Sequence, residues 1–346
     1  MNIRSICNSI CNRGRYILPA LIVVSLGAGC MGIDVPYRIV ENFPIEIRLG
    51  EEPLRALDGC LGIYDVGMAG SYLICSERKT EFFFSVYNSD FLRVCRFARH
   101  GRGPGEYIAP VYCGQYEDEG AVLTVSIYDR ATRYFDRIAV DTDSGSCQPI
   151  SHFSIPLSGD LEPRVLFRYS ATHVGGVSDY RDCRYFYSDT TFRQPRITEP
   201  VLSFGANREV HTIAQSCCAV KPDNTRIAVA FFNLPQIDIR ATTGEVIKTI
   251  FIREILHPDE IDIAEAADYF LKADADDTYI YALFENPDSG ITGSNSILVF
   301  DWEGNPVGKY DIARASSFAI DKRRNKIIAI NMDQTQSLCS LYSLPG

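Results

Sequence analysis

Residues 294–304 read SNSILVFDWEG and are followed by NPVGKYDIA (305–313), SSFAIDKRRN (316–325), KIIAINMDQ (326–334) and QSLCSLYSLP (336–345). These are five short runs of β-branched, aromatic and alternating residues, each closed by a turn signal. Asp301-Trp302-Glu303-Gly304-Asn305 reads as a hairpin turn, with polar residues leading into a Gly that can take positive φ. The same pattern recurs upstream at similar intervals. Units begin at Asp58, Tyr107, Glu162, Val210 and Asp268, and a last one spans Ser316–Leu344. Six units of about 53 residues, each with three or four short strands, specify an all-β fold, a six-bladed β-propeller.

The last unit holds only three strands before the chain stops. An open strand edge invites aggregation, so a fourth strand is needed. Tyr37–Leu49, YRIVENFPIEIRL, has alternating apolar positions and precedes the first unit. The expected ring is therefore closed by an N-terminal strand, Tyr37–Leu49, pairing with the C-terminal blade. A length of 346 residues would otherwise suggest two domains. A propeller escapes that expectation because it grows by adding blades around one axis, and residues 36–346 are assigned to it. One helix is expected, at Asp259–Leu271 (DEIDIAEAADYFL), where Pro258 and an acidic first turn suit a helix start.

Residues 1–29 read as a signal peptide. Arg4, Arg13 and Arg15 form a basic n-region, and Tyr16–Gly29 is an apolar stretch interrupted by Pro19 and Gly27, too short to span a bilayer. It ends in Ser25-Leu26-Gly27-Ala28-Gly29-Cys30, which resembles the lipobox of bacterial lipoproteins. Leu26 stands four residues before the Cys, where that motif has it three before. The resemblance implies that Cys30 carries lipid, that residues 30–35 are a short tether, and that the protein sits in the cell envelope on a lipid anchor, outer membrane included. The formal net charge of −10 opposes nucleic-acid binding and electrostatic docking on anionic lipid. Membrane contact is thus expected through the anchor alone.

Of twelve Cys, three (7, 11 and 30) fall in the targeting segment, which leaves nine. That number is odd, their spacing is irregular and no Cys-x-x-Cys occurs. Several lie inside apolar runs, as Cys75, Cys95 and Cys339 do, and read as small buried hydrophobes. A strained vicinal disulfide at Cys217-Cys218 is the alternative there, in a compartment that permits disulfides.

The C-terminal stretch TYIYALFEN…SILVFDWEGNPVGKYDIA…SFAIDKRRNKIIAI…LYSLP resembles the six-bladed, TolB-like propeller lipoproteins of bacteria. Gly101-Arg102-Gly103-Pro104-Gly105-Glu106-Tyr107 resembles their Gly-x-Gly-Pro-Gly-Glu-aromatic signature between the first two blades. The resemblance implies fold and export and brings no catalytic residues with it. Arg99–Tyr107 is the most distinctive local motif. At a channel mouth, Arg102, Glu106 and Tyr107 would form a contact surface for an anionic or glycan-like ligand, since Arg offers forked donors and Tyr a sugar-stacking face. Structurally, it reads as a blade-crossing loop in which Glu106 caps backbone N–H groups and Arg102 pairs locally. It is not a dinucleotide fingerprint, because Glu106 replaces the third Gly and no βαβ unit surrounds it.

Other polar groups read as turns. Asp141-Thr142-Asp143-Ser144-Gly145 lacks the later ligands of a calcium loop and reads as a hairpin turn. Asp274, Asp276 and Asp277 read as a solvated turn. The His at 100, 152, 173, 211 and 257 form no zinc or hydrolase motif. The expectation is a non-catalytic binding or scaffold protein for a glycan, a peptide or an envelope partner, with no metal and no cofactor. The alternative is a calcium-dependent propeller hydrolase or lyase, its metal held on the axis by residues from different blades.

Overall fold

The computed structural model describes residues 33–60, 62–156, 161–178, 184–198, 200–202, 210–287, 293–333 and 337–345. Cys30 and the signal-peptide segment lie outside them. The fold is an all-β, six-bladed propeller. Blade one is Ile63–Ala69, Tyr72–Glu77, Phe82–Tyr87 and Arg93–Arg99; blade two is Pro110–Glu119, Val122–Asp129, Tyr134–Asp141 and Cys147–Ser154. Blade three is Pro163–Arg168, His173–Ser178, Tyr185–Asp189 and Arg196–Thr198; blade four is Ser216–Val220, Arg226–Phe231, Gln236–Ala241 and Val246–Ile252. Blade five is Phe270–Ala275, Tyr279–Glu285, Asn295–Asp301 and Pro306–Ile312, and blade six holds Ala315–Asp321, Lys326–Asn331 and Cys339–Ser343. Within each blade the strands pair antiparallel in chain order. The first strands of neighbouring blades touch one another at five of the six junctions, and at the sixth the second strand of blade three meets the first strand of blade four, so the first strands form the inner ring.

Packing explains the strand patterns. The second and third strands of each blade are covered on both faces by the adjoining blades. Tyr72–Glu77, Phe82–Tyr87 and Val122–Asp129 are accordingly buried along nearly their whole length rather than at alternate residues. Outer strands such as Cys147–Ser154 are mostly exposed. The core is a series of clusters, each set chiefly between adjacent blades: one holds Phe84, Phe97, Leu123 and Val140 of blades one and two, another Phe318 of blade six with Leu283 of blade five. Full burial of each such side chain is worth roughly 1.5–3 kcal/mol.

Turns close as the sequence indicates. Asp301 Oδ1 accepts the backbone N–H groups of Glu303 (3.0 Å) and Asn305 (2.7 Å), and Gly304 has φ +76°. Trp302, within that turn, is buried between blades four and five and donates its indole N–H to the Asp276 carbonyl at 2.9 Å. At Asp141–Gly145, Asp141 Oδ1 accepts from Asp143 N (3.0 Å) and Ser144 N (2.8 Å), and these bonds hold its carboxyl below the usual range.

Two expectations are corrected. Tyr37–Leu49 does not supply the fourth strand of blade six. Tyr37–Val40 adds in parallel to Val246–Ile252 of blade four, and Glu46–Arg48 adds in parallel to Pro306–Ile312 of blade five. Glu51–Pro53 then pairs antiparallel with Cys339–Ser343. Glu51-Glu52-Pro53 has no apolar alternation to announce a strand, and all three residues are exposed. The partner edge decides the pairing: Leu54 N bonds Cys339 O at 2.8 Å, and Ser340 Oγ donates to Glu51 at 2.6 Å. The helix expected at Asp259–Leu271 is also absent. A single 3-10 turn, Pro258–Glu260, is capped by His257 and Glu260; an Asp262 turn follows, and the inner strand of blade five begins at Phe270. A short helix forms instead at Val210–Ile213. No helix among the described residues is long and apolar enough to cross a membrane.

Candidate functional site: the axial cavity

The inner strands all run the same way along the axis, so their C-terminal ends and following turns meet at one mouth. There they line a cavity of about 610 Å³ to which every blade contributes: Met68, Gln115, Arg168, Asn224, Asp274 and Lys322 come from blades one to six in turn. Gln115 ties three blades together. Its amide nitrogen donates to Arg168 O (2.9 Å) and Asn224 Oδ1 (3.0 Å), while its carbonyl accepts Arg168 N (2.8 Å). Most of the cations are committed locally. Arg137 pairs with Glu117, Lys221 with Asp223 at 2.6 Å and Lys322 with Asp276 at 2.9 Å. The Arg168 guanidinium donates to the carbonyls of Ser170 (3.0 Å) and Ala171 (3.2 Å).

The three aspartates of the blade-five turn do three different things. Asp276 is buried and anchors the turn, accepting Thr278 N (2.6 Å), Tyr279 N (2.8 Å) and the Tyr281 hydroxyl (2.8 Å). Asp277 is exposed, as a solvated turn requires. Asp274 is half-buried and faces the cavity. It accepts the backbone N–H groups of Ala275 (2.8 Å) and Ile320 (3.2 Å) and forms no ion pair among the described residues. Burial raises its pKa, with Lys272 acting in the opposite direction. A carboxylate so placed retains accepting capacity toward the cavity.

Farther along the axis lies a saturated cluster. Lys272 of blade five donates to Asp65 of blade one (2.5 Å), to Ser317 Oγ of blade six (3.0 Å) and to the Val66 carbonyl; Ser317 donates to Asp65 at 2.6 Å. Each group occupies the third position of an inner strand, just past a register shift that turns it. This clasp joins the two blades that flank the chain's closing blade.

Arg102, Glu106 and Tyr107 are not brought to the cavity. Glu106 turns back on its own loop and accepts Gly103 N at 2.8 Å, the capping arrangement the sequence indicates. It lies so close to Gly101 (φ +156°) that a Cβ there would stand 1.8 Å from Glu106 Oε2. Tyr107 is 7% exposed, packs in the cluster between blades one and two, and has its hydroxyl near the Asp136 carboxylate. Burial holds its phenol well above the usual range, with Asp136 adding to the effect. Arg102 is exposed. Sequence reasoning passed over Lys272, which no local motif marks, and took Asp274 and Asp276 for a solvated turn, whereas Asp274 is a half-buried residue of the inner strand and Asp276 is buried. The only trace is a Lys and an Asp at alternate positions of an apolar inner strand, FLKADA.

Cys217 and Cys218 are both free thiols, pushed up by burial, Cys218 to about 12. His152 meets Asp136 at 2.6 Å and His100 stacks on Phe83 with centroids 3.5 Å apart. Among the described residues no group of three His, Cys, Asp or Glu is arranged to hold a metal.

No family profile matches the chain, and no curated protein matches it in sequence. Solved structures match in shape. A member of the DUF4221 family from Bacteroides vulgatus superposes with TM-score 0.53 at 11% identity, covering 86% of this chain and 94% of that one. The calcium-binding protein regucalcin from Agrobacterium tumefaciens gives 0.47 at 10% identity over 86% and 95%. The Cps50 (Swd1) propeller domain from Myceliophteria thermophila gives 0.44 at 10% identity over 86% and 100%. At these identities the first likeness shows the fold, and the function has to be argued from the site.

Proposed function

We propose that this propeller is a binding protein whose ligand, a short glycan, seats in the axial cavity with Asp274 as its principal acceptor. The observation that carries the reading is the half-buried Asp274 carboxylate at a cavity whose lining, besides the exposed Asp277, offers uncharged hydrogen-bonding groups (Gln115, Thr124, Ser126, Asn224) and already paired charges. Such a lining suits a neutral, hydroxyl-rich molecule. Tyr116, 45% exposed on the cavity wall, supplies a stacking face for a sugar ring. The experiment is binding of the purified protein to an array of short glycans, followed by titration calorimetry on the best hit. Asp274→Asn and Tyr116→Ala are each expected to weaken it at least tenfold, roughly 1.4 kcal/mol. Unchanged affinity in both variants overturns the assignment.

The same reading places the protein among TolB-like envelope lipoproteins, with Cys30 as the lipidated residue. It rests on the basic n-region, the apolar stretch and the small residues before Cys30. Cys30→Ala is expected to move the protein from the membrane to the soluble fraction, and unchanged fractionation removes the anchor.

A further inference from the structure

We propose that Cys95 and Cys147 are a thiol pair that closes to a disulfide between blades one and two when it meets a disulfide oxidant. Cys95 sits on the outer strand of blade one, Arg93–Arg99, and Cys147 opens the outer strand of blade two, Cys147–Ser154. These two strands touch across the blade interface. Both thiols enter the same apolar cluster, Cys95 buried within it and Cys147 packed against its edge and partly exposed. The turn before Cys147 seats against the Cys95 strand so closely that a Cβ on Gly145 would lie 2.6 Å from the Val94 carbonyl oxygen and 3.9 Å from Cys95 Cβ. Each thiol lies close enough to shift the titration of the other.

The two are unequal. The Cys95 S–H supports negative charge on Cys147 and lowers its pKa, while Cys95 itself is pushed far up by the Cys147 sulfur and by burial. Burial pushes the thiols of Cys60, Cys75, Cys113, Cys217, Cys218 and Cys339 up. Cys147 is therefore the described thiol best placed to react: it is reachable and its thiolate is favoured. The chemistry is thiol–disulfide exchange. The Cys147 thiolate attacks one sulfur of the oxidant, whose S–S bond breaks, and the departing thiolate takes up the proton Cys147 released. Cys95 then loses its proton to solvent and attacks the Cys147 sulfur. The interblade S–S bond forms as the second oxidant thiolate leaves and is protonated. Two protein thiols are oxidised and one oxidant disulfide is reduced to two thiols.

The test uses oxidised glutathione as probe. The purified protein is treated, quenched in acid, alkylated without reduction, digested and mapped by mass spectrometry. The expected product is a Cys95–Cys147 linked peptide pair, two hydrogens lighter than its parts, together with a rise in Tm of about 5 °C that a reductant reverses. Cys95→Ala is expected to trap glutathione on Cys147, and Cys147→Ala to leave Cys95 unmodified. Recovery of both cysteines alkylated in the wild type, or preferential linkage of another pair, overturns the proposal without recourse to either variant.

Discussion

The Arg99–Tyr107 loop and the axial cavity are both rich in polar side chains, yet they spend them differently. In the loop the chemistry is consumed at home: Glu106 serves Gly103, and Tyr107 is buried against Asp136. In the cavity the polar groups come from six separate strands, and Asp274 keeps accepting capacity that its own blade does not use. A motif dense in sequence is thus a device for shaping backbone here. A site dilute in sequence is concentrated by ring closure.

The contrast can be broken by substitution. The largest effect is expected at the axis but away from the cavity. Lys272→Ala strips Asp65 and Ser317 of their shared cation. Because Asp65 is 37% exposed at its side chain, the loss is expected near 2 kcal/mol rather than the full cost for a deeply buried pair. Chemical denaturation measures it, and a loss below about 0.5 kcal/mol would mean that the clasp is incidental.

Gly101→Ala comes next. Its Cβ displaces Glu106 from Gly103, which costs about 1–2 kcal/mol of stability and leaves glycan affinity untouched. Should affinity fall while stability holds, the loop belongs to the site after all. Tyr107→Phe removes a buried hydroxyl near Asp136 and is expected to cost about 1 kcal/mol, again with binding intact.

Asp274→Asn should give the smallest stability change and one of opposite sign. Burial raises the carboxyl's pKa in the fold above its unfolded value, so its contribution favours the fold at acid pH and is lost as pH rises through the folded pKa. At pH 7 the charged form costs stability, and the amide relieves it. The variant is expected to melt about 2 °C higher at pH 7, with the gain fading toward pH 4. A variant less stable than wild type at pH 7 would make Asp274 a structural residue and separate it from the binding role.

Strand count, blade order and turn positions were legible in the chain because each depends on local facts. Runs such as SILVFD and KIIAIN need a partner on both sides, and Asp301 with Gly304 specifies its own turn whatever surrounds it. The sealing segment was not legible. Tyr37–Val40 carries the alternation of a strand but joins blade four, whereas the exposed residues Glu51–Pro53 complete blade six because its free edge lies there. The helix suggested by DEIDIAEAADYFL gave way to a turn and a strand, since the inner ring claims Phe270–Ala275. The meeting of Asp65, Lys272 and Ser317, and of Asp274 with the residues around it, was likewise invisible to sequence. Hydrogen bonds between residues 45 to 252 positions apart leave no spacing to read, and only closure of the ring brings them within bonding distance.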